Sequence, residues 1–294
     1  MADYFINELG ARPQDGFANR PWDNVGVQYG LNALMSGAIT AAQFVDINLK
    51  IGSRDIDYNP ISPRVAADPP SIPVAYQGGL FNEGNNMTIP ILDLRGHDIE
   101  EIHHDYRSYV MRARLDKANG NHNNQIIWTG PIPLVGDTTF ATEGLTVMDQ
   151  WLSNIQADQR NVSLATKVAD DKPAAAHDRC TDGDGHDLPN QTICTTIYPF
   201  YQEPRMVAGE PFTGDFVKCQ LKPLVRSDYF PIQFTDDQWG ELQATFSTGV
   251  CDYTKPGIDQ QPTTPWMSYA NGPGGQPLPP PPAAMSMESH SLRR

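Results

Sequence analysis

Basic residues are scarce: 21 Lys and Arg stand against 35 Asp and Glu, a formal charge of −14. A surface this acidic repels phosphate, which argues against nucleic acid and anionic membranes as partners. Long apolar runs are also missing. No stretch approaches the ~18 apolar residues of a bilayer-spanning helix, so no membrane partner is expected. The opening MADYFINELGARPQDG has neither a basic region nor an apolar core and does not read as a signal peptide. No Cys-x-x-Cys pair occurs, so a thiolate metal site has little support. No Gly-x-Ser-x-Gly elbow occurs either, so the chain by itself lacks that form of serine nucleophile. Neither a metal nor a cofactor is expected.

What is abundant is punctuation. With 26 Pro and 24 Gly in 294 residues, and 39% apolar residues, the chain can bury a core but spends much of its length in loops. It is long enough for one large domain or two small ones. The four cysteines, Cys180, Cys194, Cys219 and Cys251, all fall in the polar C-terminal part. Their number and setting suggest two disulfides and an oxidising compartment. Sequential pairing, Cys180 with Cys194 and Cys219 with Cys251, closes a local loop each time. Disulfides without a leader fit the later part of a secreted precursor.

Residues 1–21 read as irregular. Val27, Leu31, Leu34 and Met35 form a helical stripe closed by Gly37, and Thr40 with Gln43 forms a capping box before a second helix that buries Phe44, Ile47 and Ile51. A Pro-rich extended connection follows, YNPISPRVAADPPSIPVAY. MTIPILDLRG and NQIIWTG read as short buried strands. The helix after each has its own stripe: Ile102, Tyr106, Tyr109, Val110 and Ala113 in the first, Leu145, Met148, Leu152 and Ile155 in the second. Strand–helix–strand–helix order predicts adjacent parallel strands covered by helices. Residues 168–192 read as polar loop, GDFVKCQLKPL as a strand, and Thr235 as the cap of a short helix. The expected division is an α/β core over 1–160, an irregular disulfide-braced appendage over 161–270 and a Pro-rich tail over 271–294.

Ligands in an open parallel sheet bind beyond the carboxyl ends of its strands. His97, His103 and His104 follow such an end, in RGHDIEEIHHDYRSY; His122 lies at the opposite end, and His177, His186 and His290 lie in irregular sequence. A Gly and then an Asp after a strand, Gly96 and Asp98, resemble the late strand of α/β hydrolases that supplies the acid of a catalytic triad. The base would come from His97, His103 or His104; the bland alternative is a solvated helix start. Asp182 to Asp187, DGDGHD, offers alternating carboxylates for Ca²⁺ but lacks the full spacing of an EF-hand loop, so a tight polar turn is the simpler reading. Asn86, Asn161 and Asn190 begin glycosylation acceptor triplets.

RPWDNVGVQYGLNAL, IPILDLRG, IHHDYRSYVMRARL, NQIIWTG, DFVKCQLKPL and GVCDYTKPGIDQQPTTPW resemble the C-terminal part of a large bacterial secreted family of unknown function. That family has an α/β-hydrolase-like core distantly similar to tannase and feruloyl-esterase-type enzymes. The resemblance implies that the three acceptor triplets stay unused and that the location is secreted or periplasmic. It implies the terminal part of an α/β-hydrolase-like sheet, and it favours His103 as base, with Asp98 as its acid. The expected function is the C-terminal portion of a secreted serine esterase-type hydrolase acting on a small-molecule ester. The nucleophile would come from an N-terminal half of the same polypeptide or from a partner chain, and this chain alone would be inactive. The alternative is a non-catalytic binding or structural chain on the same scaffold.

Overall fold

The computed structural model describes residues 2–97, 104–131, 138–199 and 201–278. Its centre is a parallel sheet. The strand Ile91–Gly96 pairs along its whole length with Gln125–Gly130, from Ile91 opposite Gln125 to Gly96 opposite Gly130. A third, two-residue strand, Arg179–Cys180, pairs with Trp128 and Thr129 on the far side. Every residue of Gln125–Gly130 is buried, as a continuous apolar run with a sheet neighbour on each side requires.

Helices cover both faces. The crossover helix Tyr106–Asn119 ends at Gly120, whose left-handed backbone (φ 74°) places its N–H on the Asp116 carbonyl, a conformation that favours glycine. It lies against the face that carries Gln125, which donates to the Ser108 carbonyl and meets the Arg112 Nε at 3.4 Å. Helix Thr138–Ala157 covers the other face, where Trp128, Trp151, Val168 and Ile126 form one apolar cluster with Leu92, Val147 and Ile155. Gly144 allows the close approach: a Cβ there would sit 2.8 Å from the Leu92 side chain.

The buried stripe of this helix is therefore Gly144, Val147, Trp151 and Ile155: it keeps Ile155 from the stripe read in the sequence and moves the other three places back by one residue. Leu145 is 73% exposed and Leu152 is also exposed. The two apolar stripes differ by about 100° around the helix, and packing selected the one with a small residue and a large ring.

The sheet is flanked by a second packing unit built from both ends of the chain. Leu34, Phe44 and Val45 share a core with Tyr229, Phe234, Leu242, Phe246 and Val250. Leu9, Ile72 and Tyr76 share another with Val217. Sequence expectations need four corrections here. Ala2–Leu9 is a helix, not irregular. The first helix of the expected hairpin is only Leu31–Met35, because residues 23–27 are held in a turn: the Val27 N–H donates to the Asn24 carbonyl, Gly26 accepts from the Cys251 N–H, and a Cβ on it would lie 2.9 Å from that nitrogen. In Ala41–Lys50 the capping box is present, but Asn48 takes the buried place expected of Ile51, which is exposed. Ser71–Gln77 is helical despite Pro73, which falls in the first turn, where its missing N–H costs nothing.

The disulfides are Cys180–Cys194 and Cys219–Cys251, the sequential pairing. They span 14 and 32 residues, so loop-closure entropy favours the folded state by about 3 and about 4 kcal/mol. No helix among the described residues is long and apolar enough to cross a membrane.

Candidate functional site

Strand Ile91–Gly96 delivers His97 to the carboxyl end of the sheet. The His97 N–H donates to the Gly130 carbonyl at 2.9 Å, extending the parallel ladder by one residue and anchoring its backbone. Its ring Nδ1 lies 3.1 Å from Oδ2 of Asp105. Asp105 is 2% exposed and stands at the N-cap of helix Tyr106–Asn119, yet its side chain makes no cap bond. An aspartate there ordinarily turns onto the first-turn N–H groups; this one is turned onto the imidazole instead.

A carboxylate only accepts, so His97 Nδ1–H donates and Nε2 is left as the basic nitrogen. The other Asp105 oxygen, Oδ1, is buried with no hydrogen-bond partner among the described residues. A buried orphan carboxylate oxygen is costly, and it ties Asp105 more tightly to whatever positive charge develops on His97. The Tyr198 ring packs against His97 at 5.2 Å between centroids, and its hydroxyl donates to the Thr181 carbonyl, just past the third strand. The Cys180–Cys194 disulfide braces that wall. The arrangement is an imidazole locked in one tautomer, apolar on one side and half-shielded from water. It can take and return a proton.

Asp98 and His103, the pair expected from sequence, lie outside the described residues. His104 packs its ring near Tyr106, 5.8 Å between centroids. His122 is a surface residue whose Nδ1 lies 2.8 Å from Asp116. His177 donates from Nδ1 to the Ala174 carbonyl in its own turn. The DGDGHD stretch is a tight turn: Asp182 Oδ1 accepts from the N–H groups of Asp184 and His186. Asp182, Asp184 and His186 could together meet a metal ion, but they are largely exposed and already closed by that turn. Asp105 and Tyr198 escaped sequence reasoning. The sequence reading puts Asp105 inside a helix that already contains Ile102, and nothing in the chain between residues 190 and 198 announces a wall of the site.

A family model described as a tannase-like family of unknown function matches residues 1–262. No curated protein and no solved structure matches the chain.

Proposed function

The chain belongs to that tannase-like family of unknown function, and from this premise we propose that it is part of an esterase-type hydrolase in which His97 is the general base and Asp105 its orienting acid. The observation that carries the reading is the 3.1 Å contact between His97 Nδ1 and a buried carboxylate at the carboxyl end of a parallel sheet. In the proposed step, His97 Nε2 takes the proton of a serine hydroxyl as its oxygen attacks the ester carbonyl. Asp105 stabilises the imidazolium, which then protonates the leaving alkoxide. Water repeats the cycle on the acyl-enzyme.

The nucleophile and oxyanion donors are assigned to another segment or a partner chain, because no Gly-x-Ser-x-Gly elbow lies within residues 1–294. The three-stranded sheet would then be the terminal part of a larger α/β-hydrolase-like sheet, continuing past strand Ile91–Gly96. Exposed Ile89 and Leu94 on that strand and its approach support such an extension. Two disulfides support a secreted or periplasmic location. The missing elbow equally favours the second reading, a binding chain on a hydrolase-like scaffold.

The test is hydrolysis of p-nitrophenyl esters by the native protein, isolated with the segment or partner that accompanies it. A fluorophosphonate should label a serine outside residues 1–294. His97→Ala should lower kcat by on the order of 10³-fold, and Asp105→Asn by a comparable factor. A large loss in His103→Ala with His97→Ala unaffected would move the base to the pair expected from sequence. No turnover and no label would favour the binding chain.

A further inference from the structure

A groove of about 380 Å³ lies in the flanking unit and contains neither His97 nor Asp105. Helix Ala2–Leu9 contributes Phe5 to it, the stretch from Phe17 to Trp22 forms a wall, and Ile56 and Leu80 complete it. The lining is mostly apolar, and much of it faces water. Trp22 is 53% and Ile56 50% exposed, with Phe17 and Leu80 also exposed. Apolar surface gathered in this way marks a binding surface. Trp22 is nevertheless fixed in place, because its ring meets buried Phe81 edge to face at 4.7 Å between centroids. A ring held before its partner arrives loses little freedom on binding.

The polar side-chain groups that Arg20 and Trp22 bring to this wall are donors only. The Arg20 guanidinium reaches the Arg54 carbonyl at 3.4 Å with one nitrogen, and the Trp22 ring N–H meets no acceptor among the described residues. A partner with carbonyls and few N–H groups suits such a wall. Proline has a carbonyl and no N–H, and consecutive prolines form a stiff left-handed helix that docks on aromatic grooves. The chain carries such a segment beside the groove. The hairpin of Met267–Ser268 with Gln276–Pro277 runs past it. At the hairpin's tip, Pro273 lies 3.5 Å from a Cβ placed on Gly10, whose carbonyl accepts from the N–H of the groove residue Asn19. Before the hairpin, Thr263 lies 3.2 Å from a Cβ placed on Gly79, the neighbour of Leu80. Leu278, after the hairpin, donates its N–H to the Trp266 carbonyl at 2.7 Å. Trp266 is three residues from Thr263, about 11 Å of chain at most. Directly after Leu278 comes PPPPAAM, residues 279–285. Seven residues in polyproline form span about 22 Å, twice that distance.

We propose that this groove seats the chain's own Pro-rich segment, PPPPAAM at 279–285. The prolines stack on Phe17 and Trp22, and their carbonyls accept from the Trp22 ring N–H and from Arg20. Docking covers an apolar wall that would otherwise invite association. The segment is tethered, so its effective concentration at the groove is about millimolar, and contacts too weak to hold a free peptide suffice. The inference does not rest on the hydrolase reading.

The experiment is photo-crosslinking of the full chain with p-benzoylphenylalanine in place of Phe17, read by mass spectrometry. Irradiation should join position 17 to residues 279–285 within one molecule. Pro279→Ser, Pro280→Ser, Pro281→Ser and Pro282→Ser, made together, should cut that yield about tenfold. Trp22→Ala, at an exposed position and checked for folding by circular dichroism, should cut it about three- to tenfold. Amide exchange over residues 17–22, measured without the photoreactive group, should be about threefold or more faster in the fourfold serine variant than in the native chain. A crosslink between two molecules overturns the proposal in favour of a second copy's tail. A crosslink to any other segment overturns it, as does a yield unchanged by the proline substitutions. So does absence of the crosslink together with equal amide exchange in the two chains.

Discussion

The sheet unit and the unit that flanks it are held together by different means. In the sheet, Gln125–Gly130 satisfies its backbone on neighbouring strands and buries its side chains between two helices. In the flanking unit the regular elements are short, and side chains do much of the backbone's work. Arg64 alone donates to the carbonyls of Asn24, Val27 and Asn48. The Tyr76 hydroxyl bridges the Asp215 carbonyl and the Val217 N–H. Arg205 reaches the Asp23 and Phe216 carbonyls. A sheet with covering helices needs apolar periodicity; a loop-rich unit needs particular polar side chains at particular places. The first is tolerant of volume-conserving changes and the second of few changes at its bridging residues.

The largest expected effect tests the sheet. Trp151 is fully buried against Trp128 and Val168, and its ring N–H donates to the Val168 carbonyl. Trp151→Ala should cost about 3–5 kcal/mol, read by urea unfolding. A loss below about 1 kcal/mol would mean that the helix does not pack on the sheet by this face. Next is the flanking unit. Tyr76→Phe removes only an oxygen, but leaves a buried carbonyl and a buried N–H without their bridge. It should cost about 2 kcal/mol, where an apolar core would barely register the change.

A smaller effect concerns pH. Glu8 is buried beneath the N-terminal helix, and burial raises its pKa, with the Tyr4 hydroxyl working the other way. A carboxyl with a raised folded-state pKa binds its proton more tightly when folded. Its penalty is absent in acid, below the ordinary carboxylate range, and grows as pH rises through the folded-state pKa. Glu8→Gln should therefore raise the Tm at pH 7, by something on the order of 1 kcal/mol in stability, and the gain should vanish at low pH. A gain of equal size at every pH would show that Glu8 is not charged at neutrality. The smallest effect returns to the sheet. Leu145→Glu should change stability by no more than about 0.5 kcal/mol, since that residue stands in water. A loss comparable to that of Trp151→Ala would restore the stripe read from sequence.

Some features were written locally. The strands at Ile91–Gly96 and Gln125–Gly130 are short apolar runs between turn residues, and a local apolar run has few other ways to be satisfied. The capping boxes at Thr40 and Thr235 involve residues three apart, so the sequence contains both partners. The cysteine pairing was legible because each bond closes a nearby loop. The third strand was not legible: two residues in polar sequence become a strand only because Trp128 and Thr129 present an edge to them. The choice between two apolar stripes on Thr138–Ala157 likewise needed the sheet, which admits Gly144 and Trp151 and leaves Leu145 outside.

The candidate site divides the same way. His97 was placed by the chain, because a residue following a parallel strand must emerge at its carboxyl end. Its partner was decided only in three dimensions. Asp105 lies within the helix read from sequence but caps the helix that forms, and the folded chain turns it onto an imidazole eight residues earlier. The apolar groove is more distant still from anything a sequence spells out, since its walls come from Phe5, Trp22, Ile56 and Leu80. Periodicity and capping act over a few residues, and the sequence alone carries them. Which side chains meet depends on residues far apart in the chain, and only close packing brings them within reach.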